Sequence, residues 1–168
     1  MKLIRPNESL KQEFFDIIED YKKNEEWFYY YKYDSALEDY AGYLLDLDKE
    51  SKGKDLVEGH VPTTVYWLVD EEETEIRGVI RIRHRAIPIH GNIGYDVPPK
   101  MRFKGYGKEI LRLGVIEAKN IGIDEIQISC GAGNEGSKRI IEENGGEFIA
   151  SKIDNFERFN QYIIKLKY

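Results

Sequence analysis

Between residues 91 and 122 the chain reads Gly91-Asn-Ile-Gly-Tyr-Asp-Val97. It passes two prolines and turns through Arg102-Phe-Lys-Gly105-Tyr-Gly107-Lys108 into an apolar-rich helix. A β-type run that enters a glycine turn and leaves at once as a helix aims several unpaired N–H groups at one point, along with the positive end of a helix dipole. Arg102, Lys104 and Lys108 place cationic side chains on the same turn. The chemistry this arrangement suits is the binding of a phosphate or pyrophosphate.

Other motifs are weaker. No Gly-x-x-x-x-Gly-Lys-[Ser/Thr] occurs, so the turn is not a P-loop. Gly131-Ala-Gly133-Asn-Glu-Gly136 matches Gly-x-Gly-x-x-Gly, and Asp154 follows at a suggestive distance. A dinucleotide fold, however, needs further βα units for which the remaining chain has no room. One cysteine, Cys130, excludes an internal disulfide framework, and His60, His84 and His90 are too scattered to imply a metal site.

Those residues are positioned by elements that periodicity marks out. Lys2–Arg5 reads as a short strand, and Ser9 as the cap of a helix to about Lys23 with Leu10, Phe14, Ile17, Ile18 and Tyr21 on one face. Residues 24–34 are aromatic-rich without a clear period, and a second helix is expected over about Ser35–Leu47. Thr63–Val69 and Glu75–His84 form a hairpin across an acidic turn, the second strand alternating isoleucines with arginines as if one face were wet. Gly91–Val97 is a strand and 106–121 a helix. Glu125–Cys130 is a strand, Asn134 caps a helix that Gly145-Gly146 ends, and two strands follow near 147–153 and 160–167. Strands 91–97 and 125–130, joined across a helix, are expected to be parallel neighbours.

Composition bounds the rest. With 168 residues, 41% hydrophobic and 33% charged, residues 1–168 are expected to form one domain. The first residues carry no long apolar run, and no stretch has the ~20 apolar residues of a membrane span. A cytoplasmic location without membrane association is therefore expected. Net charge is −6, divided unevenly: residues 1–75 hold 20 acidic and 9 basic side chains, residues 76–168 hold 11 and 16. The overall acidity argues against nucleic acid as a partner.

The strand, the Arg102-x-x-Gly105-x-Gly107 turn and its helix resemble the acetyl-CoA signature of the GNAT N-acetyltransferase superfamily. Asn134-Glu-Gly-Ser137, an apolar helix and Gly145-Gly146 resemble that family's next motif. The resemblance is to a bacterial-type branch and is strongest over residues 78–150. It implies an α/β fold with a mixed, mostly antiparallel central sheet, one parallel strand pair at the cofactor site, and about four flanking helices. It implies acetyl-CoA as cofactor. Tyr95 and Val97 would offer backbone groups near the thioester and pantetheine arm, and the amides of Phe103, Lys104, Gly105, Tyr106, Gly107 and Lys108 would hold the pyrophosphate, with the charge of Arg102 beside them. Asn134 would meet the pantetheine arm or the adenine-side atoms of the cofactor from the next helix, with Ser137 beside it. A bulge at Gly94 would splay the key strand from its neighbour.

The activity implied is direct acetyl transfer to an amine of a small molecule or peptide. A reacting amine must lose its proton, and the base candidates near the key strand are His90 and Asp96. Trp27, Tyr29, Tyr31, Glu38 and Asp39 are expected to form a wall that accepts a cationic acceptor. Many family members carry a tyrosine four residues after the Ala/Ser to protonate the departing thiolate; here that position is Ile141. Another donor, unaided release, or a non-catalytic acyl-CoA-binding or sensing module all remain open. Pairing of the last strand between copies would make a homodimer.

Overall fold

In the computed structural model, which describes residues 1–166, seven strands form one sheet in the order β1-β2-β3-β4-β5-β7-β6. They are β1 (Lys2–Ile4), β2 (Thr63–Val69), β3 (Ile76–Ile87), β4 (Gly91–Asp96), β5 (Glu125–Gly131), β6 (Gly146–Asp154) and β7 (Glu157–Lys165). The helices are α1 (Lys11–Lys23), α2 (Trp27–Tyr33), α3 (Ser35–Glu38), α4 (Tyr40–Ser51), α5 (Tyr106–Asn120) and α6 (Glu135–Glu143), with a 3-10 turn at Pro99–Met101. No helix among the described residues is long and apolar enough to cross a membrane.

Each sheet face buries its own core. Phe14, Ile17, Ile18 and Tyr21 recur at helical spacing along α1 and pack with Val65, Trp67, Val69 and Val79 of β2 and β3. On the opposite face Ile110, Leu111 and Ala118 of α5 meet Ile80, Ile82, Ile93, Ile126 and Ile128. The period-two alternation of β3 thus supplies both cores, Val79 to one and Ile80 and Ile82 to the other.

Six helices stand where about four were expected, for two local reasons. The aromatic stretch left unassigned is itself a helix, α2. The single helix expected over Ser35–Leu47 breaks at Asp39, which leaves the helical region (φ −144°, ψ 88°) and accepts the Gly42 N–H at 2.9 Å to start α4. At α1 the N-cap position is Leu10 rather than Ser9 and no side chain caps it; Asn7 Oδ1 accepts the Leu10 N–H at 3.2 Å in the turn before the helix. Strand β7 lies between β5 and β6, so the route to a dimer through a free last strand is closed; the outer edge belongs to β6. Position 167 of that expected strand lies outside the described residues.

The feature that matters most is how β4 leaves β5. The two pair in parallel only at the start of β4, where Gly91 and Ile93 both fall opposite Ile128. Asn92, between them and buried, accepts the Gln127 N–H at 2.9 Å through Oδ1 and donates from Nδ2 to the Arg83 carbonyl at 3.3 Å. Pairing with β5 extends no further than Ile93, while β4 stays in register with β3 through Gly94, Tyr95 and Asp96. The irregularity is therefore at Gly91–Ile93 and not at Gly94, and a gap opens beyond it.

Gly91 has φ +64°, and a Cβ there would lie 2.2 Å from the Gln127 carbonyl oxygen. Gly91→Ala combines a left-handed strain with a backbone collision and is expected to cost more than about 1 kcal/mol. For a chain of this size that lowers the melting temperature by more than about 2 °C, measurable by thermal denaturation.

Candidate functional site

The site is anchored by a buried ion. Asp96, at the end of β4, is 4% exposed and on the face covered by α1 and α2. The Tyr21 hydroxyl of α1 donates to Oδ2 at 2.6 Å and the Tyr33 hydroxyl of α2 to Oδ1 at 2.7 Å. Arg81 of β3 pairs with Oδ1 at 2.8 Å and also donates to the Tyr33 hydroxyl. Burial first, then the Asp96 charge, pushes the Tyr21 hydroxyl far above its ordinary pKa. Burial likewise raises Tyr33, so both remain donors. Asp96 was a base candidate, but every strong partner within reach already donates to it, and it is closed off from solvent. It is a structural anion.

Beside this anchor lies a cleft of about 750 Å³ that runs through the gap between β4 and β5. Its floor is Ile93, Gly94, Tyr95 and Ser129–Gly131, with Asn134 and Ser137 of α6 at one side. Phe28, Tyr29 and Lys32 of α2 and Arg81 and Arg83 of β3 line another wall, and His90, Asp154, Glu157 and Phe159 a third. His90 Nε2 is 2.8 Å from Asp154 Oδ2, and its ring meets Phe159 edge-on at 4.9 Å. A carboxylate only accepts, so Nε2 carries the proton in this pair, and in the neutral imidazole Nδ1 is then the nitrogen with a lone pair. The Tyr95 hydroxyl lies 3.5 Å from Ser137 Oγ, and burial pushes its pKa up to about 12. Burial also raises the Cys130 thiol, keeping it protonated as a small packing group.

The Gly-rich turn stands at the end of β4. Gly105 takes the N-cap position of α5 with φ +84°, no side chain caps that helix, and Glu109 is the first amide bonded back, to the Gly105 carbonyl. The turn therefore presents unpaired amides, as its sequence implied. Its cations are less available. Arg102 grips Glu26 bidentately at 2.6 and 2.7 Å and donates through Nε to the Val97 carbonyl at 2.9 Å. Lys108 pairs with Glu143 at 3.1 Å. Lys104 alone of the three has no carboxylate partner among the described residues; it donates to the Lys100 carbonyl. At Gly107 a Cβ would lie 2.7 Å from Ile140 Cδ1, the free end of that side chain, so the glycine lets α5 and α6 pack closely.

The remaining expectations divide. Tyr29 reaches the cleft wall, stacked on Tyr21 at 5.0 Å. Trp27 and Tyr31 are exposed, at 44% and 67%, and neither lines the cleft. Glu38 points to solvent, and Asp39 is occupied capping α4. The acidic wall does not form, because these side chains lie on the outer face of the helical layer. Asn134 Oδ1 caps α6 by accepting the Ser137 N–H at 3.0 Å, so only its Nδ2 is free toward the cleft. Ile141 is fully buried in the core, and no hydroxyl stands in its place. Sequence reasoning missed Lys32, Arg81, Arg83 and Asp154. The alternating arginines of β3 were the available signal, read as a solvated face when that face is covered.

A family model described as an acetyltransferase (GNAT) domain matches residues 4–147. No curated protein sequence matches the chain. Among solved structures, the microcin C7 self-immunity acetyltransferase MccE, in complex with acetyl-CoA and AMP, is similar with TM-score 0.72 and 15% identity over 98% of this chain and 91% of that one. RimL, a ribosomal L7/L12 α-N-protein acetyltransferase in complex with coenzyme A, gives TM-score 0.71 and 16% identity over 98% and 93%. An acetyltransferase from Salmonella typhimurium that modifies the N-terminal serine of L7/L12 gives 0.67 and 14% over 98% and 94%. At these identities the likeness is one of fold.

Removing the anchor tests the site's support. Asp96→Asn leaves the buried Arg81 without its counter-charge and is expected to cost about 3–5 kcal/mol. Tyr21→Phe, which removes one donor to the carboxylate, is expected to cost about 1.5–3 kcal/mol. Urea denaturation of the two variants should rank them in that order.

Proposed function

The chain belongs to the GNAT acetyltransferase family, and from that membership we propose that it moves an acetyl group from acetyl-CoA directly to an amine of a small molecule or peptide. The observation that carries this reading is the gap beyond Ile93, open beside the uncapped start of α5. A thioester and its pantetheine arm need such an opening between strands, and the attached pyrophosphate needs free amides at its end. The residues that would hold the cofactor are the backbone of Phe103–Lys108, Lys104 as the available cation, the Val97 N–H, Asn134 Nδ2 and Ser137. Acetyl-CoA supplies the activated acetyl carbonyl and a thiolate leaving group.

The chain's own groups then have separable tasks. Freeing a lysine-like amine of its proton at pH 7 costs about 4–5 kcal/mol. His90, with Nδ1 unprotonated, accepts the proton that the nitrogen sheds as the N–C bond forms. Asp154 is a positioning residue that holds the His90 tautomer. As the C–S bond breaks, the Tyr95 hydroxyl donates a hydrogen bond to the departing sulfur. With a pKa pushed up to about 12, against about 8.5 for an ordinary thiol, Tyr95 stabilises the thiolate without surrendering its proton. Solvent completes the thiol. This assigns a donor where Ile141 has none. Residues 1–166 act as one unit in this reading.

Two measurements test it. Coenzyme A at about a hundred times its dissociation constant should stabilise the protein by about 2.7 kcal/mol, a melting shift of about 5–10 °C; no shift at millimolar coenzyme A removes the assignment. His90→Ala should lower kcat by about 10²–10⁴-fold with that melting shift intact. Asp154→Asn should also lower kcat, and Asp154→Glu should recover part of the loss at an unchanged melting temperature.

A further inference from the structure

Arg81 and Arg83 leave β3 on the same face, and Gly94 of β4 sits opposite Arg81 in register. The point where a Cβ at Gly94 would stand is 3.6 Å from Arg83 Nη2, 3.7 Å from Arg81 Nε and 3.8 Å from Arg81 Nη2. Three guanidinium nitrogens therefore flank the same side of Gly94, where the cleft floor carries no side chain. Arg81 Nε is buried and has no hydrogen-bond partner. Arg83 has no carboxylate within ion-pair distance among the described residues and donates only a long bond, 3.3 Å, to the Gly91 carbonyl. Lys32 lines the same cleft from α2, resting 5.1 Å from the Phe28 ring centroid without a carboxylate partner among the described residues.

The balance of charge here is positive. Two carboxylates face three cations: Asp96 pairs with Arg81 and also attracts Lys32, and Glu50 of α4, in an adjoining cavity that shares Lys32, Arg81 and Arg83, attracts all three. Crowding shows in the cations. Desolvation first, then Arg81 and Arg83, push the Lys32 ammonium down to about 8, although its surface still meets solvent at the mouth. Desolvation and Arg81 also lower Arg83. An unpaired cation held this way gains most from an anion supplied from outside. The wall across the cleft has the opposite character, with Asp154 and Glu157 beside His90.

We propose that the position over Gly94 binds an oxyanion carried by the acceptor, held by Arg83, Arg81 Nε and Lys32. The acceptor is then a zwitterion, an amine a few bonds from a carboxylate or phosphate. Its anion sits at the arginines, and its ammonium is drawn toward Asp154 and Glu157, where His90 receives the proton. This reverses the cationic acceptor expected from the acidic N-terminal half. The naming of the bound molecule as acceptor rests on the acetyl-transfer reading; the anion site itself does not.

The test therefore has a binding arm and a turnover arm. Glutarate and, separately, inorganic phosphate are titrated calorimetrically into the protein saturated with coenzyme A. Arg83→Gln and Lys32→Gln are each expected to weaken binding by about tenfold to a hundredfold, the loss of a charge-assisted hydrogen bond. Gly94→Val, which places its Cβ in ordinary contact without a left-handed backbone, should abolish binding by filling the position. In turnover, β-alanine or 2-aminoethyl phosphate should exceed β-alaninamide in kcat/KM by a similar factor, and which of the two acids leads names the anion. Absence of glutarate and phosphate binding to the wild-type protein, or binding unchanged in all three variants, overturns the proposal. Equal turnover of β-alanine and β-alaninamide does the same while leaving acetyl transfer intact. Anion binding with no thiol release from any of the three amines overturns the zwitterionic acceptor and leaves the anion site standing, whereas absence of the coenzyme A melting shift is what removes the acetyl-transfer reading.

Discussion

A single carboxylate holds the two halves of the molecule in their working relation. Asp96 stands at the end of the strand that forms the cleft floor, and its donors come from α1, α2 and β3. Removing a charge from water is costly, and only a full set of short, directed donors offsets it. The consequence is geometric: α1 and α2 can sit only where Tyr21 and Tyr33 both reach the same side chain. Glu26, at the start of α2, is then placed to receive the Arg102 fork, which in turn holds the Val97 carbonyl at the root of the Gly-rich turn. One buried ion and one bidentate pair thus connect the helical layer to the end of β4 and the root of the Gly-rich turn.

Strand β4 serves its two neighbours differently along its length. At Gly91 it is pressed against β5 so closely that no Cβ fits, and the neighbouring Asn92 supplies bonds that the ladder lacks. From Gly94 onward it belongs to β3 alone. The unpaired side of that segment is where a substrate backbone or thioester can approach, and its two faces offer different chemistry. Tyr95 faces α6 and a hydroxyl; Gly94 faces the arginines. Period-two alternation, which elsewhere only divides two cores, here sets the Tyr95 hydroxyl and the guanidinium-flanked side of Gly94 on adjacent residues.

Much of this could be read from the chain, for identifiable reasons. The run from β4 through the glycine turn, α5, β5 and α6 is local, punctuated by Gly105, Asn134 and Gly145, and its apolar periods are strong. What escaped reading depends on partners far away in sequence. Whether the arginine face of β3 is wet or covered is decided by helices some fifty residues earlier, and alternation alone cannot distinguish the two. The break at Asp39 turns on one side chain preferring a cap to a helix interior. Asp154 acquires its role only because the β6–β7 hairpin folds back toward His90, a meeting 64 residues apart along the chain. The acidic excess of the N-terminal half was real but spread over outward faces, so its sum said nothing of the cleft.

The hairpin that carries Asp154 has a tight turn at Asn155 and Phe156, both with positive φ, and its strands stay paired up to Asp154 and Glu157. It lies at the sheet's outer margin, where β6 touches only β7 and α6 with any breadth. Adding or deleting one residue beyond the Phe148–Ala150 irregularity would invert which face its side chains present. The buried anchor at Asp96 and the turn at Gly105 would be left undisturbed. The acidic wall of the cleft is therefore a module separable from the buried frame, and a one-residue change in a peripheral loop would remodel it without rebuilding the interior.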